Sequence, residues 1–176
     1  MTGLTGLPDL WGWTERAEKA LAATGNRATA LLLVELEGLH RITEQHGRRA
    51  CAAVRRAVTS ALLSALRGTD VAGRVGHEGD GFLVLLPARD RHRGELIARR
   101  IRTRIRRAII PVLSATGTGV VITNLAASVG VAVSDPSTSR SLTLPELVQQ
   151  ADIAVLRARS QGGDQVIVAG TGTQGI

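Results

Sequence analysis

The chain has 176 residues, 44% of them apolar, which is enough for one domain around one well-buried core and calls for no second domain. Only 2% are aromatic and none is tyrosine, which excludes the base-stacking platforms of single-strand binders, so no specific nucleic acid is expected as a partner. The net charge of +7 is carried almost wholly by arginine, with Lys19 the only lysine, and planar guanidiniums suit phosphate or carboxylate recognition as well as solvated helix faces.

A helix is expected in "LPDLWGWTERAEKALAATGNR", with Asp9 as N-cap and its end near Gly25; Trp11 and Trp13 read as core or edge packing. "TALLLVELE" is a nearly continuous apolar run and reads as a central strand covered on both faces, with Glu35 and Glu37 on one side of its exit end. "ACAAVRRAVTSALLSALRG" places Val54, Val58, Leu62 and Leu66 on one helical stripe that stops at Gly68. "RVGHEGDGFLVLLP" then reads as strand, turn and strand. "RGELIARRIRTRIRRAII" follows as a helix with Ile97, Ile101 and Ile105 inward and arginines outward.

"VVITNLAASVGVAVS" is two short strands or one long bent strand. After a polar loop, Thr143 and Glu146 form a capping box for "LPELVQQADIAVLRARSQ". "DQVIVAG" is a last short strand, so residues 1–170 form a single domain and 171–176 a flexible tail. Because the hairpin interrupts the strand–helix alternation, the fold class expected is α/β, a three-layer sandwich with a central mixed, partly antiparallel sheet flanked by helices. Cys51 is alone, which excludes an intrachain disulfide and argues against a zinc site. With no charged leader and no apolar run of about 18 residues, the expectation is a cytoplasmic protein without membrane association.

Several separated segments carry a family resemblance. "LTGLPD" at Leu4–Asp9 resembles the opening "LTGLPNR" of GGDEF domains, the diguanylate cyclases of bacterial signalling. "LLLVELEGLHRITEQHG" resembles their "DIDxFKxINDxxG", and "RGTDVAGRVGHEGDGFLVLLP" their "RxxDxxxRxGGDEF" hairpin. "SVGVA" and "ADIAVLRARSQGGDQV" resemble "SIGVA" and "ADxALYxAKxxGRNxV". The resemblance implies a polymerase-palm-like fold in which two GTP are joined, across an antiparallel dimer, into cyclic di-GMP. Carboxylates there hold Mg²⁺ against the triphosphate and offset charge on the attacking and leaving oxygens.

Carried over position by position, the resemblance puts Glu35 at the first metal-binding carboxylate. At the signature, counting forward from Arg74 puts Glu78 at the acidic third position, and counting back from Phe82 puts Asp80 there, because the turn is two residues longer. Such an even insertion leaves the faces of both flanking strands unchanged. The guanine-reading pair falls on Thr43 and Ala52, and the triphosphate cations on Arg159 and Gly163. Thr2 stands where an aspartate partners Arg74. These departures imply a degenerate signature, with Glu35, Glu78 and Asp80 as metal residues only if nucleotide is bound, and Thr43 and Arg159 as vestigial nucleotide contacts.

Arg67 and Asp70 stand where the family has its product-inhibition "RxxD", and Arg102 matches a second arginine of that site. A guanidinium and a carboxylate three residues apart could hold the two edges of a guanine, or be an ordinary surface pair. His77 reads as a polar turn residue rather than a ligand, and Glu37, Glu44 and Asp164 read as solvated. The function expected is therefore a catalytically silent GGDEF domain acting as a cyclic di-GMP receptor or signalling adaptor. The alternatives are an active, non-standard cyclase and a nucleotide-free protein-interaction scaffold. The chain opens on the domain itself, so dimerisation is expected from the domain surface or from a protein partner.

Overall fold

The computed structural model describes residues 6–76, 79–138 and 140–170. The first helix, α1 (Leu10–Thr24), is capped at the expected residue: the Asp9 carboxylate accepts the Gly12 N–H at 3.0 Å, and Gly25 ends it with φ +63°. Strand β1 (Thr29–Leu36) is the centre of the sheet and is buried at seven of its eight positions. Its alternation splits the core in two. Ala30, Leu32 and Val34 pack with one set of helices, whereas Leu31 and Leu33 face Trp13, Leu144 and Leu147 on the other side.

Helices α2 (Leu39–His46) and α3 (Arg48–Leu63) are separated at Gly47. Val54, Val58 and Leu62 form the buried stripe of α3, as expected. The helix stops at Leu63, however, and Leu66 lies beyond it in turns closed by Ala65 N–H to Leu62 O and Leu66 N–H to Leu63 O. Strands β2 (Val71–Val75) and β3 (Gly81–Leu86) form the antiparallel hairpin, registered Arg74 to Phe82 and Val75 to Gly81. His77 and Glu78 lie outside the described residues.

Helix α4 (Arg91–Arg107) is capped by Asp90 and buries Ile97, Ile101 and Ile105. The sequence reading carried this helix to Ile110; instead β4 (Ile110–Leu113) pairs with β5 (Gly119–Ile122) as a separate two-stranded sheet. Proline at 111 removes an amide hydrogen and bars its predecessor from the helical region, so the chain turns to strand there. Strand β6 (Ala127–Ser134) pairs antiparallel with β1, which settles the open segment as two strands. Helix α5 (Leu144–Ser160) and β7 (Val166–Val168) complete the chain, β7 running parallel to β6. The sheet order is β2-β3-β1-β6-β7, a mixed sheet with α1 and α5 on one face and α3 and α4 on the other. The tail assigned to 171–176 lies outside the described residues.

Two glycines set the layer spacing. A Cβ at Gly73 would come within 2.7 Å of Trp13 Cγ, so the indole lies flat on β2 and donates Nε1–H to the Val71 carbonyl at 2.9 Å. A Cβ at Gly130 would overlap the Ala151 carbonyl oxygen and sit 2.6 Å from Val155 N, so α5 packs directly on the β6 backbone. Trp11, by contrast, is 85% exposed, which corrects its expected place in the packing. No helix among the described residues is long and apolar enough to cross a membrane.

The capping box at α5 forms as expected: Thr143 Oγ1 accepts from the Glu146 N–H and the Glu146 carboxylate accepts the Thr143 N–H at 2.8 Å. Hydrogen bonds from Arg140 first, then from Thr143, hold the Glu146 carboxyl down at about 2, against 4.5 ordinarily. A carboxylate depressed in the folded state adds stability above its unfolded pKa and loses it as pH falls through the folded one. The thermal midpoint of the wild type should therefore exceed that of E146Q near neutral pH, and the gap should close between about pH 4.5 and about pH 2. A gap that is constant over that window would contradict this account of the cap.

Candidate nucleotide site

The open end of the sheet is where β1 leaves, and the carboxylates of Glu35 and Asp80 both come to it. Glu35 sits between Gly81 of β3 and Ser128 of β6, on the same face as Leu33. Its carboxylate accepts a hydrogen bond from Arg159 of α5 at 2.8 Å, and its side chain is 30% exposed. Asp80 closes the hairpin turn, where its backbone oxygen accepts the Leu36 N–H at 2.9 Å and so ties the turn to the exit of β1. The Asp80 carboxylate accepts Nε and a terminal N–H of Arg55 on α3, at 3.2 and 2.8 Å.

Glu35, Asp80, Arg159 and Gly163 line one cavity of about 1040 Å³, together with Glu37 and Gly76 on its polar side and Trp13 and Leu144 on its apolar side. Thr43 and Ala52 are not in that lining. Thr43 instead donates its hydroxyl to the Leu39 carbonyl of its own helix at 3.1 Å, and Ala52 lies on α3. Each of the two carboxylates at the metal position is thus held by a guanidinium. No group of three or more His, Cys, Asp or Glu among the described residues is arranged to hold a metal ion, and Glu78 lies outside those residues. Arg74 Nε is buried without a hydrogen-bond partner among the described residues, and its matched position, Thr2, lies outside them.

Glu37 and Asp164, expected to be solvated, are joined in a network that the sequence did not announce. The Glu37 carboxylate accepts the Ser128 hydroxyl and, at 3.1 Å, the Asp164 N–H. Asp164 holds φ +47° and accepts a two-pronged bond from Arg102, 3.1 Å from Nε and 2.9 Å from a terminal nitrogen, with Arg106 on the same carboxylate. Partners lying 62 and 127 residues apart leave no local pattern to read. Glu44 is exposed, as expected.

Arg67 and Asp70 do come together. The Asp70 carboxylate accepts the Arg67 N–H at 2.9 Å and Arg67 Nε at 3.2 Å, while the guanidinium also donates to the Pro87 carbonyl. Arg102 does not join them, because its guanidinium is committed to Asp164; this corrects its expected place. The second arginine beside Asp70 is Arg89, 4.0 Å away, which no sequence cue selects. Burial, then the positive charge of Arg67, lowers the Arg89 pKa from its ordinary value, and Arg89 Nε is buried with no partner among the described residues. The turn is a cationic cluster compensated by a single carboxylate.

A mixed five-stranded sheet with the β2–β3 hairpin beside the central strand and helices on both faces is the fold class that the sequence resemblance implied. The chain belongs to the GGDEF family: residues 2–165 match the family described as "Diguanylate cyclase, GGDEF domain". It is 28% identical over 165 residues to the cyclic di-GMP phosphodiesterase PdeR of Escherichia coli, a match covering 94% of this chain but 23% of that protein's length. Among solved structures, the GGDEF domain of TpbB (YfiN) from Pseudomonas aeruginosa superposes with a TM-score of 0.80 at 25% identity, over 95% of this chain and 92% of that one. The GGDEF domain of DgcB from Caulobacter crescentus, solved with c-di-GMP, gives 0.82 at 19% identity over 96% and 92%. The diguanylate cyclase SiaD of Pseudomonas aeruginosa, solved with its activator SiaC, gives 0.81 at 25%, over 95% and 60%.

Proposed function

We propose that this GGDEF domain is catalytically silent and acts as a cyclic di-GMP receptor through Arg67 and Asp70, with Arg89 in the place first assigned to Arg102. The observation that carries the first half is the pairing of Glu35 with Arg159 and of Asp80 with Arg55. A cation already bound to each carboxylate competes with a divalent ion, and stabilising a triphosphate needs that ion. Thr43 and Ala52, away from the cavity, leave a guanine edge without its readers. The receptor half rests on Arg67 and Arg89 sharing one carboxylate. The Arg67 guanidinium, 43% exposed, offers donors to a dianionic ligand, and charge-assisted bonds of this type are the strong ones.

Calorimetry with cyclic di-GMP, and chromatography of GTP incubated with Mg²⁺ or Mn²⁺, test the two halves. The wild type should bind cyclic di-GMP and R67A at least about tenfold more weakly, since such bonds contribute about 1.5 to 3 kcal/mol each. No product should accumulate from GTP. Steady turnover that disappears in E35A would overturn the silent reading. Absence of heat at millimolar cyclic di-GMP would overturn the receptor reading and favour a protein-interaction scaffold. That second reading has an observation of its own, the outer face of the β4–β5 hairpin, where Ile109, Leu113 and Val121 are 74%, 65% and 58% exposed.

A further inference from the structure

Among the described residues β4 and β5 form a sheet of two strands, and its two edges are finished differently. The Ser114 N–H donates to the Thr118 carbonyl at 2.8 Å and closes the hairpin. Counting back from that pair, the alternation of an antiparallel ladder turns the N–H and C=O of Val112 and Val120, and of Ile110 and Ile122, toward the partner strand. Those of Leu113, Gly119 and Val121 then face outward. Pro111 also faces outward but has no N–H, so the β4 edge is blunted. The β5 edge, Gly119–Ile122, has neither a proline nor a charge to guard it. Side chains alternate in step: Ile110 and Val112 are buried, whereas Ile109, Leu113 and Val121 form an exposed apolar face.

The charge around this hairpin has one sign. No Asp or Glu occurs between Glu44 and Asp70 or between Glu95 and Asp135, and the fold lays these two stretches together. A Cβ added at Gly47 would stand 3.1 Å from the Ala115 Cβ, so the hairpin turn sits at the start of α3. Arg48 and Arg49 occupy the first turn of that helix, are exposed, and have no ion pair among the described residues. We propose that the β5 edge receives an extended, acidic segment of another protein as a third strand. Its main chain pairs with the outward groups of Gly119 and Val121, its alternate apolar side chains extend the face of Val121 and Leu113, and its carboxylates meet Arg48 and Arg49. A second copy of this chain is a poor occupant, because it brings a charge of +7 and an equally acid-free hairpin. A lipid surface offers no main chain to pair with the edge. The proposal rests on the interaction reading of this face and is independent of cyclic di-GMP.

The test selects random displayed peptides of about ten residues, the upper length of ordinary strands, on the full chain and counter-selects them on V121P. Val121→Pro deletes an outward N–H and leaves the ladder to β4 in place. Enriched peptides should alternate β-branched or aromatic residues with polar ones and carry Asp or Glu. The best of them, synthesised and titrated at about 150 mM salt, should bind V121P at least about tenfold more weakly than wild type, and R48Q/R49Q at least about threefold more weakly. R67A should bind it within about twofold of wild type, so this result and that of the cyclic di-GMP titration fail separately. One readout needs no variant: the Gly119 and Val121 amides should exchange freely in the unbound chain, and the peptide should slow both at least about tenfold. Failure of any peptide to enrich overturns the proposal, as do enriched peptides without acids, or exchange at Gly119 and Val121 that the peptide leaves unchanged. A dimer in sedimentation that V121P dissolves, or binding to anionic phosphatidylglycerol vesicles with no peptide enriched, also overturns it but keeps the face an interface, for a second copy or a lipid.

Discussion

Replacing Gly130 by alanine is expected to lower stability by about 3 kcal/mol or more, and the thermal midpoint by about 10 °C, measured by circular dichroism melting. One methyl group suffices because the atoms it meets are the Ala151 carbonyl and the Val155 amide nitrogen, both main chain of α5. Neither can rotate aside as a side chain would. The helix must therefore lift from β6, exposing Ala151, Val155 and Leu147, all of which are buried in the packed state. Gly119→Ala is the matched control: nothing lies within 4 Å of a Cβ there, so the change should be neutral or slightly stabilising through the unfolded chain. Equal melting of the two variants would mean that the helix–sheet spacing is not set at position 130.

Trp13→Ala should cost about 3 to 5 kcal/mol. The indole is 1% exposed, packs against Leu33, Leu83 and Leu144 in the second core cluster, and satisfies the Val71 carbonyl. Alanine would leave a void on the edge strand and an unpaired carbonyl beneath α1. Trp13→Phe separates these terms, since the ring remains and the donor is lost. Emission offers a second readout: in a W11F background the only indole left is Trp13, which should emit as a buried group in the folded chain and shift red on unfolding. A Trp13→Ala protein as stable as Trp13→Phe would show that packing of the ring contributes little.

Where a residue's partner was close in sequence, it could be read in advance. Asp9 with Gly12, Thr143 with Glu146, and the hairpin around Arg74 and Phe82 all depend on contacts within a turn, and each formed. The helix ends were overrun where an apolar stripe continued past the last helical turn. Leu66 and Ile109 stay in phase with the buried faces of α3 and α4, so periodicity alone extended both helices, although Pro111 marked the stop for the second. At the site, Glu35, Asp80, Arg159 and Gly163 were gathered into one cavity as their matched positions implied. The cations were harder. Arg55 reaches Asp80 across 25 residues, Arg102 reaches Asp164 across 62, and Arg89 comes to Asp70 through a loop bend, and nothing in the neighbouring residues of any of them encodes the choice.

A side chain at position 163 and the hydrogen-bonded Glu37 carboxylate compete for one space, and this makes the order of substitutions matter. A Cβ at 163 would come within 2.5 Å of the Glu37 carboxylate, and residue 163 also holds φ +73°, which β-carbons disfavour. An arginine introduced there, where the family resemblance places one, must first expel a carboxylate that is bonded to Ser128 and to the Asp164 amide. Shortening Glu37 first empties the space but leaves those two donors without an acceptor. Either single change is a loss, and only the pair can recover, so the two effects are far from additive. A lineage that has reached this arrangement has a valley to cross before phosphate-gripping chemistry could return at that corner, whichever of the two substitutions comes first.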